Sequence, residues 1–492
     1  VSEPVQNPDA GEARERNSRE TQPQESADAR DTAETQDTAE TQDTAEAQPS
    51  GTVNRYQSLA LLGSSVLAAA STLIVTMIAQ RALTGSELTE FLLFWSALFT
   101  VTGIITGLQP EITRAVGTAR TRAVADRALA DGVASAHPVS VGAPAPQGAR
   151  VVTVAAALGA VAGALVLVSS PLWAGQQIPH SAAVGVTVMA VGVFLYALQA
   201  TISGVAAGED RWYLFATVGG LESAGRLLLM LAVALLIPSL AGLEVATVIP
   251  MGLWLILALV TFSGRRLWGA RADVPAGRLT VNILWSFLSS AAAAMLMMGF
   301  PNVLKASGAA ESEPVVLGTL ILAISITRSP IMIPLQAFQG VAVSAFLKQR
   351  HRPVAAFIKP AAAVVAVGAV GALAAYLVGP LLFRLIYPPA AGTESAYEAA
   401  ASGLSLGALV FASALLALMT LSGNMALAVN QHRIYLAGWV VAAVVTLGLA
   451  FLLPAPLVPR AVVALAVGPV CGFVVHMVGV SMASRAEETR AE

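Results

Sequence analysis

Residues Leu61 to Gln109 read LLGSSVLAAASTLIVTMIAQRALTGSELTEFLLFWSALFTVTGIITGLQ, two apolar runs joined by a short polar turn at Arg81 to Glu90. Apolar runs of about 18 to 25 residues are long enough to cross a bilayer as helices. The same reading gives six spans in the first half: Leu59–Gln80, Phe91–Gln109, Val151–Trp173, Ala182–Gly204, Trp212–Ile237 and Val245–Phe262. Six more follow at Val281–Val303, Val315–Ala342, Pro360–Leu382, Gly403–Met425, Ile434–Leu453 and Ala461–Met482. Composition agrees, with 56% hydrophobic residues, 12% charged residues and a mean hydropathy of +0.70. A soluble domain carries about a quarter charged residues.

The basic residues test the count, because loops on the cytoplasmic side concentrate Lys and Arg. With twelve spans and both ends inside, 18 basic residues fall in inner loops and termini, among them Arg114, Arg120, Arg211, Arg271, Lys348 and Arg433. Four fall outside: Arg81, Lys305, Arg384 and Arg460. A missed span would scatter this pattern. The expected location is the bacterial inner membrane, multi-pass.

Residues 1 to 50 carry 13 acids against four Arg and contain the repeats DTAETQ, DTAETQ and DTAEAQ from Asp31 to Gln48. Almost no large apolar side chain interrupts them, so residues 1–54 are expected to be a disordered acidic tail. No apolar signal core precedes Leu59, so the first span is expected to act as an uncleaved anchor. The expected organisation continues with an amino-terminal lobe at 55–264, an inter-lobe linker at 265–280, a carboxy-terminal lobe at 281–484 and a short tail at 485–492. A faint internal repeat supports two lobes: Ser203-Gly204 before Arg211-Trp212-Tyr213-Leu214 recurs as Ser422-Gly423 before Arg433-Ile434-Tyr435-Leu436. Such repeats place a substrate path between the halves.

Two Arg residues remain at mid-span, Arg226 and Arg328. An Arg at the bilayer centre costs about 2.5 to 3.5 kcal/mol on insertion scales, so such residues face a partner or a wet path. Glu222 lies four residues before Arg226 on the same helix face, which allows an ion pair. Ser325, Arg328, Ser329 and Gln336 follow helical spacing near Pro330 and Pro334, a stripe suited to a cavity lining. One Arg per lobe could grip a phosphate or diphosphate. The candidate substrate-binding set is therefore Arg226, Arg328, Glu222, Ser325 and Gln336. Glu111 and Arg114 could form a cytoplasmic gate, or simply snorkel to the interface. His476 could carry a proton or be a packed neutral imidazole. Glu222 reads as the only acid deep in a span. The single cysteine, Cys471, lies in an apolar run, which rules out an intramolecular disulfide. No metal-ligand cluster, paired catalytic carboxylates or phosphate-cradling glycine motif is visible, so neither cofactor nor enzymatic activity is expected.

Three stretches resemble the polysaccharide-transporter (Wzx-like) branch of the MOP flippase superfamily: Leu61 to Gln109, Gln199 to Leu229 (QATISGVAAGEDRWYLFATVGGLESAGRLLL) and, in the eighth span, Ile326 to Gly340 (ITRSPIMIPLQAFQG). The resemblance implies an all-α membrane protein of two pseudo-symmetric six-helix lobes, like MATE and MurJ. It also implies export of a polyprenyl-diphosphate-linked oligosaccharide by alternating access. Membrane lipids and the lipid-linked glycan would be its ligands, glycan polymerase and glycosyltransferases its partners, and nucleic acid would have no part. Alternatives are a MATE-like small-molecule or cation antiporter and a non-transporting scaffold in a glycan-assembly complex.

The topology makes a direct prediction. In a Cys471→Ala background, single cysteines replacing Arg211 or Arg433 should react with an impermeant thiol reagent only from the inner side. A cysteine at Arg384 should react only from the outer side, and labelling of all three from one side would contradict twelve spans.

Overall fold

The structure is a computed structural model that describes residues 55–83, 85–130, 148–260, 267–308, 314–348, 353–389, 392–429 and 431–491. The acidic repeats expected to form a tail lie outside the described residues, as does the side chain of Gln336. The described residues form helices and short connections, with one isolated antiparallel bridge between Arg150 and Arg271. Lipid offers no partner to backbone N–H and C=O groups, so a chain this apolar satisfies them within helices.

The first half contains α1 (Arg55–Ala82), α2 (Gly85–Ile105), α3 (Leu108–Ala130), α4 (Val151–Ser169), α5 (Ala182–Gly208), α6 (Trp212–Leu236), α7 (Leu240–Val248) and α8 (Trp254–Val260). The second contains α9 (Ala276–Ala294), α10 (Phe300–Ala306), α11 (Pro314–Lys348), α12 (Pro353–Ile386), α13 (Glu394–Ala401), α14 (Gly403–Ala428), α15 (His432–Leu452) and α16 (Leu457–Ala491). Twelve helical segments among the described residues are long and apolar enough to cross a membrane. Several boundaries differ from the sequence reading. The second segment runs Gly85–Arg127, turning sharply at Thr106 and Gly107, and the sixth starts at Leu240 rather than Val245. Gly107 is required at its turn, because a Cβ there would lie 2.8 Å from the Ser286 carbonyl on α9.

The halves pack alike in part: α3 lies on α5 as α11 on α14, and α4 on α5 as α12 on α14, while α1 lies on α6 and α9 packs more on α2 than on α15. These are two six-helix lobes. We call the end where α1 begins the basic end, after its loops, and the opposite end the far end. One apolar core joins both lobes near the far end, combining Val75, Phe91, Leu243, Phe300, Leu320 and Phe383. Thr76 hydrogen-bonds the Tyr387 hydroxyl at 2.8 Å, and Gln80 donates to the Pro388 carbonyl at 2.6 Å, tying α1 to the end of α12. Toward the basic end the buried side chains form two clusters, the first of which also takes in Leu279 and Ile283 of α9. That one contains Phe94, Ile112, Val151 and Ala197, and the other Phe346, Phe357, Met425 and Val480. Helix α12 leaves Val367, Val370, Leu373, Leu377 and Leu381 exposed, as a lipid-facing helix does.

His476 on α16 is fully buried. Its Nε2 lies 3.0 Å from the Tyr435 carbonyl and its Nδ1 2.9 Å from the Ser422 hydroxyl, with the ring stacked on Tyr435. Both ring nitrogens are used in packing α14, α15 and α16. A Cβ at Gly438 would run into His476 Nε2. Gly438→Ala should therefore push the imidazole off the Tyr435 carbonyl and cost about 1 to 3 kcal/mol, as overpacking does. Thermal unfolding in detergent measures it, and an unchanged midpoint would contradict the packing.

Candidate functional site

A cavity of about 400 Å³ lies where α1 and α2 of one lobe meet α11 and the turn before α10 of the other. Thr72 and Thr76 on α1, Trp95 and Ser96 on α2, and Ser325, Arg328 and Ser329 on α11 line it, with Met297, Met298 and Pro301. Pro301 shapes this wall. Having no N–H, it cannot bond the carbonyl of Met297 four residues earlier, and the chain widens into a single π-type turn at Met295–Gly299. An orphaned carbonyl facing a membrane interior needs another donor. Arg328 supplies it, its Nη1 donating to the Met297 oxygen. The next carbonyl, of Met298, accepts from the Ser96 hydroxyl on α2, so the wide turn is held from both lobes.

Arg328 is half-buried, and its Nε is shielded from solvent with no hydrogen-bond partner. No carboxylate pairs with it among the described residues. The Ser325 and Ser329 hydroxyls donate to carbonyls one turn back, at Ile321 and Ser325, leaving their lone pairs toward the cavity. Among the described residues, the cavity lining contains one cation and no acid.

Arg226 is in a different environment. It is 6% exposed and forms an ion pair with Glu222 one turn earlier on α6. Gln199 on α5 donates to the other Glu222 oxygen at 2.6 Å, and Arg226 Nε donates to the Thr247 carbonyl on α7 at 3.4 Å. Phe99 and Trp95 place their rings 5.1 and 5.8 Å from the guanidinium. Neither Arg226 nor Glu222 lines the cavity, whereas Trp95 touches both surroundings. The structure thus brings Arg328 and Ser325 together and sets the Arg226–Glu222 pair apart, inside the amino-terminal lobe.

Near the basic end, Arg114 on α3 pairs with Glu111 at 2.7 Å and with Asp273 at 3.1 Å. Asn282 on α9 donates to Glu111 at 2.9 Å. Two helices and the connection before α9 meet in this cluster. Its partners, Asp273 and Asn282, were missed in the sequence because they lie 159 and 171 residues away.

Two further acids are buried close to the far-end starts of their helices, where the sequence reading placed none inside a span. Glu244 on α7 is fully buried and Glu90 on α2 is 3% exposed. Glu244 escaped notice because the sixth helix begins five residues earlier than its apolar run. Glu90 read as the end of a loop. Ser181, before α5, places its Oγ 3.0 Å from Glu90 Oε1 and 2.6 Å from Glu244 Oε1. Among the described residues no group of His, Cys, Asp and Glu is arranged to hold a metal ion.

The fold is similar to that of solved MOP-superfamily transporters. The chain superposes on an inward-facing multidrug resistance MATE family transporter with a TM-score of 0.62 and 14% identity, covering 88% of this chain and 99% of that one. A Pyrococcus furiosus MOP superfamily transporter, described as having a binding pocket of reverse polarity suggesting a different function, gives 0.61 and 14%, covering 87% and 96%. The lipid II flippase MurJ, inward closed, gives 0.60 and 9%, covering 87% and 88%. In sequence, the chain is 33% identical over 432 residues to the uncharacterized protein Rv1510 of Mycobacterium tuberculosis, covering 87% of this chain and 92% of that one. It is 34% identical over 409 residues to the uncharacterized protein Rv3630 of the same organism, covering 83% and 88%. The chain belongs to the family of these mycobacterial proteins. No protein-family model matches it.

The Arg226–Glu222 geometry predicts an asymmetric response. Glu222→Gln strands a buried guanidinium and should destabilise the protein by about 3 to 5 kcal/mol. Replacing both partners, as Glu222→Gln with Arg226→Met, should recover much of that loss in thermal unfolding. Additive losses would show that the two residues are not a structural pair.

Proposed function

We propose that this protein moves a polyprenyl-diphosphate-linked oligosaccharide across the bacterial plasma membrane for cell-surface polysaccharide assembly. The observation that carries the reading is Arg328. It is a guanidinium at the lobe interface that lines a cavity of ligand size, with no carboxylate paired to it among the described residues. A cation held in a low-dielectric site favours an anion, and the planar fork of Arg suits phosphate oxygens. Ser325 and Ser329 add polar contacts, and the glycan would extend along the lobe interface toward the basic end.

Alternating access supplies the mechanism. The contacts Thr76–Tyr387 and Gln80–Pro388 close the far end, and the Glu111–Arg114–Asp273–Asn282 cluster serves as the gate at the basic end, which faces the cytoplasm in this reading. Membrane potential favours outward movement of an anionic carrier by about 2.3 kcal/mol per charge per 100 mV. No covalent chemistry is required. Glycan polymerase and glycosyltransferases would act before and after the transfer, and membrane lipids surround the path. The Arg226–Glu222 pair holds α6 and α7 behind Trp95 rather than contacting the cargo.

A second reading, exchange of a small cation in the manner of a MATE antiporter, draws support from the buried Glu90 and Glu244. The cavity argues against it, since among the described residues lining it the one charged side chain is the Arg328 guanidinium.

Depleting the protein should cause a polyprenyl-linked oligosaccharide to accumulate on the cytoplasmic face. Wild type should clear it, Arg328→Lys should clear it partly, and Arg328→Ala should fail at matched expression. Sensitivity to cationic dyes without accumulated lipid-linked sugar would favour the antiporter instead.

A further inference from the structure

The far end of the amino-terminal lobe contains a polar node separate from the central cavity. Glu90 Oε1 accepts the backbone N–H of His180 at 2.9 Å and of Ser181 at 2.8 Å, and Glu90 Oε2 lies 2.7 Å from His180 Nδ1. That donor set, at the start of helix α5, suits an ionised carboxylate. Glu244 is unlike it. It is fully buried, its Oε2 has no hydrogen-bond partner, and its Oε1 meets only the Ser181 hydroxyl among the contacts of the described residues. Gly185 on α5 packs against both Glu244 oxygens, which a Cβ there would approach to 3.2 and 3.3 Å, so no side chain on that face could donate to them.

Ser181 has a single hydroxyl hydrogen, yet its Oγ is within hydrogen-bond distance of both carboxyl groups. Two ionised carboxylates sharing one hydrogen, one of them sealed from water, would leave a buried charge uncompensated. A second proton resolves the count. We infer that Glu244 is a proton-carrying carboxyl: it donates to Ser181, Ser181 donates to Glu90, and His180 connects Glu90 to water.

The path is continuous. The His180 side chain is 66% exposed, and each following step is a contact of 2.6 to 3.0 Å. In one passage Glu244 loses a proton and water gains one through His180, with only O–H and N–H bonds changing. The other titratable groups on elements packed against α7 are Glu87 on α2, Tyr196 on α5, and Tyr213, Glu222 and Arg226 on α6. Of these, Arg226 meets α7 at Thr247, one turn beyond Glu244.

Helix α7 also contributes Leu240, Leu243 and Ala246 to the core that joins the lobes. Losing the proton in place would set two anions against each other beneath that core, which favours moving α7 away from α2 and loosening the far end. The site therefore couples proton release to opening, whatever the cargo.

Infrared spectra of the full chain reconstituted in lipid at neutral pH should show a protonated carboxyl band that Glu244→Gln removes and Glu90→Gln retains. Ser181→Ala should keep the band and slow its deuterium exchange by about tenfold, the order set by losing one hydrogen bond. Glu244→Gln should fold with wild-type stability, because the amide matches the neutral acid in shape. Persistence of the band in Glu244→Gln, unchanged exchange in Ser181→Ala, or failure of Glu244→Gln to fold would each overturn the assignment.

Discussion

Pro301 cannot donate a hydrogen bond, and the consequences of that missing N–H organise the centre of the molecule. The Met297 carbonyl is released from its helix and bonded by Arg328 from α11, while the neighbouring Met298 carbonyl is bonded by Ser96 from the opposite lobe. A guanidinium is thereby fixed at the lobe interface without an acidic partner. Placing it there is costly, and only a carbonyl and the cavity beside it offset that cost in the described structure. The comparison with Arg226 is instructive, because that residue has a carboxylate, a carbonyl and two aromatic faces. One Arg completes a folded lobe, and the other lines the cavity with no carboxylate paired to it among the described residues.

The two ends of the lobe interface are built differently. The far end is closed by a shared apolar core and hydrogen bonds from α1 to the end of α12. At the basic end a polar cluster, partly exposed at Arg114, joins α3, Asp273 and α9, beside Leu279 and Ile283 of α9 buried in the core of the amino-terminal lobe. An apolar closure releases only when whole helices move, whereas an exposed ion-pair cluster contributes modestly and exchanges readily with water. Helix α7 is placed to move with the far-end core, since it carries Glu244, three core side chains and the carbonyl that receives Arg226.

Much of this was legible in the sequence. Twelve spans follow from apolar run length and the one-sided distribution of Arg and Lys, and the faint repeat corresponds to lobes whose helices pack alike in part. Glu222 with Arg226 was readable because its spacing is local. What could not be read was long-range or at a boundary. The Arg114 partner Asp273 is distant in sequence, and no local pattern announces it. Glu244 fell outside an apolar run because it is itself the polar residue that ends the run, and only burial shows that the helix continues past it. The effect of Pro301 was hidden as well, since a proline signals a break but not which side chain repairs it.

Arg328 as an anion grip is the central claim, and binding to the purified protein tests it most directly. Calorimetry should show that a short-chain prenyl diphosphate binds while the matching prenyl alcohol does not compete. Arg328→Ala should weaken the diphosphate by about tenfold to a hundredfold, the range expected for losing a hydrogen bond to a charged group. Equal binding of alcohol and diphosphate, or undiminished diphosphate binding in Arg328→Ala, would contradict the account.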